Sequence, residues 1–121
     1  MSMKDHHTYL GRYEREMRHF LRTAKKDGFK VAAVRDGEGE LWRNVGEKQV
    51  IAESMSCEEG IVYFTHPDYP KFHISAWVLA GNGPGELISD WGWKENTPQE
   101  MLDRFDKVHS ISSDYCERII R

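Results

Sequence analysis

The chain has 121 residues, of which 39% are hydrophobic and 31% are charged, and its formal net charge at pH 7 is −3. This length predicts one domain with one core, and the content of apolar and aromatic residues excludes an intrinsically disordered chain. The longest apolar candidate, residues 74–80, is far shorter than the roughly 18 residues of a membrane span, which excludes a transmembrane protein.

The N-terminal residues and the cysteines predict the compartment. Residues 1–7 carry charge but lead into no apolar segment with a small-residue cleavage site, which argues against a secretory signal. Cys57 and Cys116 lie far apart in the sequence and form no Cys-x-x-Cys motif or Cys/His cluster. We interpret both as free thiols of a reducing compartment and expect a cytoplasmic protein.

The first predicted element is a long amphipathic helix. Asp5 or Thr8 is placed to cap it, and Gly28 supplies the left-handed residue that ends helices, so that the helix extends to about Asp27. At 100° per residue, one stripe is apolar and contains Tyr9, Leu10, Tyr13, Met17, Phe20, Leu21 and Ala24. The opposite arc is basic and contains Arg12, Arg15, Arg18, His19, Arg22, Lys25 and Lys26.

From Phe29 onward the hydrophobic period becomes that of strands. The predicted strands are residues 29–35, 40–44, 49–55, 61–65, 72–79 and 86–91. Residues 36–39 (Asp-Gly-Glu-Gly) predict a hairpin, and the glycine-rich residues 81–85 predict another turn. Connections this short favour antiparallel neighbours. The sequence therefore predicts a meander of five or six strands.

A C-terminal helix completes the predicted fold. Residues 97–100 (Thr-Pro-Gln-Glu) combine an N-cap hydroxyl, a proline at the first helical position and a capping-box glutamate. Residues 112–114 either cap a separate final helix or lie within a continuous one, and the pattern does not decide between them. We predict a single α+β domain over residues 1–121, in which an antiparallel meander sheet carries the N-terminal and C-terminal helices on one face as a two-layer sandwich.

The strongest functional signal is the charge distribution. Residues 1–35 carry nine Lys and Arg against four Asp and Glu, which gives +5, and residues 36–121 carry eight against sixteen, which gives −8. A basic helix face attracts phosphates or an acidic protein surface, although charged faces also simply keep helices soluble. No zinc-finger spacing, RNP motif or helix-turn-helix points to nucleic acid. The negative overall charge slightly favours an acidic protein as the partner over nucleic acid.

A second candidate contact is aromatic. Trp91-Gly92-Trp93, with other rings of the chain, provides more aromatic area than a small core requires, and such rings are good interface anchors. The alternative is that Trp91 and Trp93 hold the last strand on the core. The predicted partner-binding residues are Arg12, Arg15, Arg18, Arg22, Lys25, Lys26, Trp91 and Trp93.

No coherent set of catalytic or metal-binding residues follows from the sequence, and we predict no catalytic residue, no metal and no cofactor. The leading hypothesis is a non-enzymatic binding protein without a membrane partner. A second hypothesis is a small enzyme or ligand-binding domain with a site among His66, Asp68, His73 and Asp90 on the free sheet face. A third is a homodimer that pairs through that face or through an edge strand.

Overall fold

The computed structural model describes residues 3–55, 59–79 and 86–119, with side chains in these ranges except for residues 3–10 and 119. The described helices are α1 (Met3–Lys26), α2 (Glu47–Ser54) and α3 (Gln99–Ile119). The described strands are β1 (Lys30–Arg35), β2 (Leu41–Arg43), β3 (Glu59–Thr65), β4 (His73–Leu79) and β5 (Ile88–Trp93). They form one antiparallel sheet in the order β2-β1-β3-β4-β5, which confirms the predicted α+β class. None of these helices is long and apolar enough to cross a membrane.

Alternation along the strands divides the sheet into two faces. On the face that we call the core face, the side chains are buried: Val34, Val62, Phe64, Ile74, Ala76 and Val78. The opposite or outer face carries Arg35, Ile61, Tyr63, Ser75 and Trp77, all of which are at least partly exposed. This division follows from the period of two residues in a strand.

Helices α1 and α3 pack together over the core face. The predicted apolar stripe of α1 is confirmed from Tyr13 to Ala24, all of whose members are buried, while the side chains of Tyr9 and Leu10 lie outside the described residues. Phe20 of α1 meets both Phe64 of β3 and Phe105 of α3 with ring centroids 5.8 Å apart. These rings connect the two layers.

The predicted strand at residues 49–55 is wrong, because most of this segment belongs to helix α2. Its buried residues are Val50, Ile51 and Ser54, a spacing of three and four residues that is helical. The β-branched pair Val50-Ile51 suggested a strand, but packing of α2 on β1 and β3 decides the outcome. Strand β3 consequently pairs with β1 and not with β2, which precedes it in the predicted meander. Strand β2 lies at one edge of the sheet.

The ends of the last two elements also differ in detail from the prediction. Strand β5 begins at Ile88, two residues later than predicted, and its pairing with β4 is irregular between Ile88 and Asp90. Helix α3 is continuous through residues 112–114, which resolves the alternative that the sequence left open. Thr97 precedes it as predicted, but its hydroxyl donates to the carbonyl oxygen of Lys94 at 2.6 Å and closes the preceding turn.

Candidate binding surface on helix α1

Five cations form the exposed side of α1, and we call this set the basic face: Arg15, Arg18, Arg22, Lys25 and Lys26. Arg15, Lys25 and Lys26 are exposed, and their side chains make no hydrogen bond or ion pair with any residue that the structure describes. Their charges therefore remain available to a partner.

Glu47 at the start of α2 holds the other two members of the basic face. The Nε and Nη2 atoms of Arg22 donate to the Glu47 carboxylate at 3.3 and 3.2 Å, and the Nε of Arg18 lies 3.6 Å from Oε1. Exposed ion pairs of this kind contribute little to stability. Their effect here is to orient two guanidinium groups toward α2 while one carboxylate offsets only one of the two positive charges.

Two residues of the predicted basic arc do not belong to the exposed face. Arg12 turns to the buried Tyr13: its Nη2 donates to the hydroxyl at 2.9 Å, and its guanidinium carbon lies 4.9 Å from the ring centroid. His19 stacks on Tyr115 of α3 with centroids 3.9 Å apart, and its Nδ1 lies 3.0 Å from the Ser112 hydroxyl. Partial burial, with the nearby charge of Lys26, lowers the pKa of His19, so that this residue is neutral at pH 7.

Beside the basic face lies a groove of about 510 Å³ between α1, α2 and the start of β1, which we call the α1–α2 groove. Its floor is formed by apolar side chains that are buried or nearly so, namely Leu21, Phe29, Val50 and Phe64. Its rim carries Lys25, Lys30 and Glu47, so that one member of the basic face is also part of the groove. The volume falls within the range of small-ligand and side-chain pockets.

The two tryptophans of β5 lie elsewhere. Trp91 is partly buried and packs on Phe105 and His109 of α3, with ring centroids 5.7 and 4.9 Å away, so it holds β5 on the core. Trp93 is 51% exposed. Because β5 forms one edge of the sheet and α2 packs on β1 and β3, the basic face and Trp93 do not form one continuous surface.

The four polar residues of the second hypothesis do not form one site, although His66 and Asp68 are in contact. His66 is buried, its Nε2 lies 2.7 Å from the carbonyl oxygen of Asp27, and its Nδ1 accepts the backbone N–H of Asp68 at 3.1 Å. This pattern fixes the tautomer with the proton on Nε2 and makes His66 a structural residue. His73 lies on the outer face near Tyr63, and Asp90 lies on β5.

Arg104 of α3 makes further hydrogen bonds to the segments around His66. Its Nε donates to the Asp27 carboxylate at 3.0 Å, and its Nη1 donates to that of Asp68 at 2.9 Å. These hydrogen bonds therefore hold the end of α1 and the β3–β4 loop against α3. Within residues 3–55, 59–79 and 86–119, no group of three His, Cys, Asp or Glu side chains is placed to hold a metal ion.

A small cavity of about 20 Å³ between α1, α3 and the start of β5 is lined in part by Glu16, His109, Ser112 and Cys116. Burial and the carboxylate of Glu16 raise the pKa of the Cys116 thiol to about 11. A thiol in this state is a poor nucleophile at neutral pH. Cys57 and the glycine-rich residues 81–85 lie outside the described residues.

The sequence did not predict the α1–α2 groove. Its walls come from four separate segments, and they meet only because residues 47–54 form a helix. Val45 and Val50, which line it, are five residues apart in the sequence, and their spacing alone does not place them beside α1. Comparison with known proteins found no matching family model, no similar curated protein and no similar solved structure.

Proposed function

We propose that the protein is a non-enzymatic binding protein that holds an acidic segment of a partner protein along the basic face of α1. The observation that carries this proposal is the position of the α1–α2 groove, whose apolar floor lies directly beside Lys25. Carboxylates of the partner contact the free cations Arg15, Lys25 and Lys26, and an apolar side chain of the same segment enters the groove. Charge attracts the segment, and burial of the apolar side chain stabilises the complex.

An acidic protein segment fits this surface better than nucleic acid does. Single-stranded nucleic acids stack their bases on exposed aromatic rings. The two rings in the groove, Phe29 and Phe64, are 2% and 1% exposed and offer no stacking surface. In addition, residues 36–121 carry an excess of eight negative charges, which repel a long polyanion.

Trp93 has a secondary place in this proposal. Its ring is exposed but lies at the β5 edge, away from the basic face. A short segment does not reach both surfaces. We propose that Trp93 contacts only a partner that is large enough to extend across α3.

Selection of peptides from a random display library tests the proposal, because the library offers segments of every charge and hydrophobicity to the same surface. We expect the selected peptides to place Asp and Glu on both sides of one large apolar residue. Fluorescence anisotropy of a labelled selected peptide then measures its affinity, which we expect to weaken as salt increases because charges contribute to binding. A single-stranded oligonucleotide of similar length is measured in parallel.

Two variants with the same change in net charge separate the basic face from general electrostatics. Arg15→Glu/Lys25→Glu/Lys26→Glu should abolish binding of the peptide. Lys71→Glu/Lys94→Glu/Lys107→Glu changes three exposed lysines outside the basic face and should leave most of the peptide binding intact. Circular dichroism confirms that both variants fold.

A third variant, Val45→Trp, fills the groove without changing any charge and should also weaken binding. Selected peptides without acidic residues, equal binding by the two charge-reversal variants, or tighter binding of the oligonucleotide than of any peptide would each contradict the proposal.

A further inference from the structure

The outer face of the sheet carries more apolar side-chain area than the fold uses. Trp77 on β4, next to the central strand, is 42% exposed, and Leu41, Ile61, Tyr63 and Leu79 on the same face are only partly buried. All three described helices contribute to the core on the opposite face, so none of them covers this one. We infer that the outer face is the interface between two copies of this chain.

The register of the strands arranges charge across this face. Leu41, Arg35, Ile61, Trp77 and Asp90 lie side by side on β2, β1, β3, β4 and β5, in that order. Arg43 lies on β2 in the adjacent row, beside Ala33. The cations are therefore on one side of the central strand β3, and the exposed indole and the carboxylate are on the other.

This arrangement is self-complementary under one kind of two-fold symmetry. If the symmetry axis lies between the two stacked sheets and parallel to β3, the β1–β2 side of each copy faces the β4–β5 side of the other. Arg35 then faces the ring of Trp77, a favourable cation–π arrangement, and Arg43 lies within one row of Asp90. An axis perpendicular to the strands would place the cations of the two copies opposite each other. The charges thus select the axis along β3.

The area of the face agrees with a reversible dimer. Four of the strands have six or seven residues, and β2 has three. At about 3.3 Å per residue and about 4.8 Å between strands, the face is about 24 Å wide and at most about 20 Å long. Two copies then cover about 900 Å² together, which is the size of weak, transient interfaces. We therefore expect a dimer that dissociates in the micromolar range.

Sedimentation velocity of the whole chain across the micromolar range tests this interface. The average mass of the unmodified protein should rise with concentration from that of one chain toward that of two. Trp77→Ser should remain monomeric throughout. Trp93→Ser is the matched control, since Trp93 is equally large and 51% exposed but pairs with Ile74 on the core-face side of β5, and it should dimerise normally.

A charge exchange tests the orientation of the two copies. Arg43→Glu and Asp90→Lys should each weaken dimerisation about tenfold. The double variant should recover it, because positions 43 and 90 again carry opposite charges while Arg35 and Trp77 are unchanged. Circular dichroism checks that each variant folds. An unmodified protein that stays monomeric, or a Trp77→Ser variant that still dimerises, overturns the interface. A double variant as weak as the single ones overturns the axis along β3.

Discussion

The two faces of the sheet are built from the same strands, yet their side chains have different surroundings. On the core face Val34, Val62 and Ile74 are completely buried under the helices. On the outer face Ile61, which precedes Val62 in the chain, is partly exposed, and Trp77 is 42% exposed. The core face therefore accounts for the fold, whereas the apolar residues of the outer face need another explanation.

Helix α1 shows the same division on a smaller scale. Its buried side supplies Met17, Phe20 and Ala24 to the core, and its exposed side carries Arg15 and Lys26 with no partner in the described part of the chain. Residues that the fold does not require are the natural candidates for binding. Substitutions of the buried residues should therefore change stability, and substitutions of the exposed residues should change association with a partner.

The largest effect on stability should come from the centre of the core. Phe105 is completely buried and contacts the rings of Phe20, Phe64 and Trp91. Phe105→Ala leaves a cavity and should lower the free energy of unfolding by about 3–5 kcal/mol, as measured by urea denaturation. The control Ile111→Ala lies on the same helix but is 48% exposed, and it should change stability by about 0.5 kcal/mol or less. Equal losses of stability in the two variants would show that α3 does not pack on the core as described.

A smaller loss of stability should follow when a single methyl group is added at Gly60, where α2 meets β3. A Cβ atom on Gly60 would meet the backbone of Ser54, including its Cα at 2.8 Å, and backbone cannot rotate away. Gly60→Ala should destabilise the protein by about 1–3 kcal/mol. Gly11→Ala, on α1 where nothing lies within 4 Å, should instead stabilise it by up to about 1 kcal/mol. A neutral Gly60→Ala would mean that α2 does not pack on the core face as described.

The histidines of the helical layer should make stability depend on pH. Burial is the main cause that lowers the pKa of both His19 and His109 below the ordinary value of 6.5. Below pH 6.5 the unfolded chain consequently binds more protons than the folded one, and the free energy of unfolding should decrease as the pH falls. The pH dependence of urea denaturation measures this decrease. His19→Gln/His109→Gln should reduce the slope, and an unchanged slope would assign it to other groups.

The smallest effect on stability should come from the outer face. Trp77→Ser removes a large side chain that is already 42% exposed, so the isolated chain should lose about 1 kcal/mol or less. Urea denaturation at a concentration where the copies are dissociated measures this value. A loss as large as that of Phe105→Ala would remove the distinction between the two faces, because Trp77 would then belong to the core.

Local sequence patterns predicted the parts of the fold that depend on local physics. The apolar stripe of α1, the strand alternation around Phe64 and Ile74, and the start of α3 after Pro98 all followed from periodicity and capping residues. Residues 47–54 could not be assigned in this way, because an isolated Val50-Ile51 pair fits a strand as well as a short helix. Only contact with β1 and β3 distinguishes the two.

The candidate site was predictable to a similar extent. Arg15, Lys25 and Lys26 were placed correctly on the exposed side of α1 by their helical spacing. The same spacing did not show that Arg12 turns onto Tyr13, since that depends on the rotamer and on burial of the ring. The α1–α2 groove was not predictable, because its walls are distant in the sequence.

The most direct test of the proposed function is a two-dimensional ¹H–¹⁵N NMR titration of the protein with a selected acidic peptide. We predict that the amide signals of Lys25, Phe29 and Val45 shift, because these residues surround the α1–α2 groove. The signals of Tyr63 and Trp77 should change little at a constant protein concentration. Shifts confined to the outer face or to the β5 edge, with none around the groove, would contradict the assignment of the binding surface to α1.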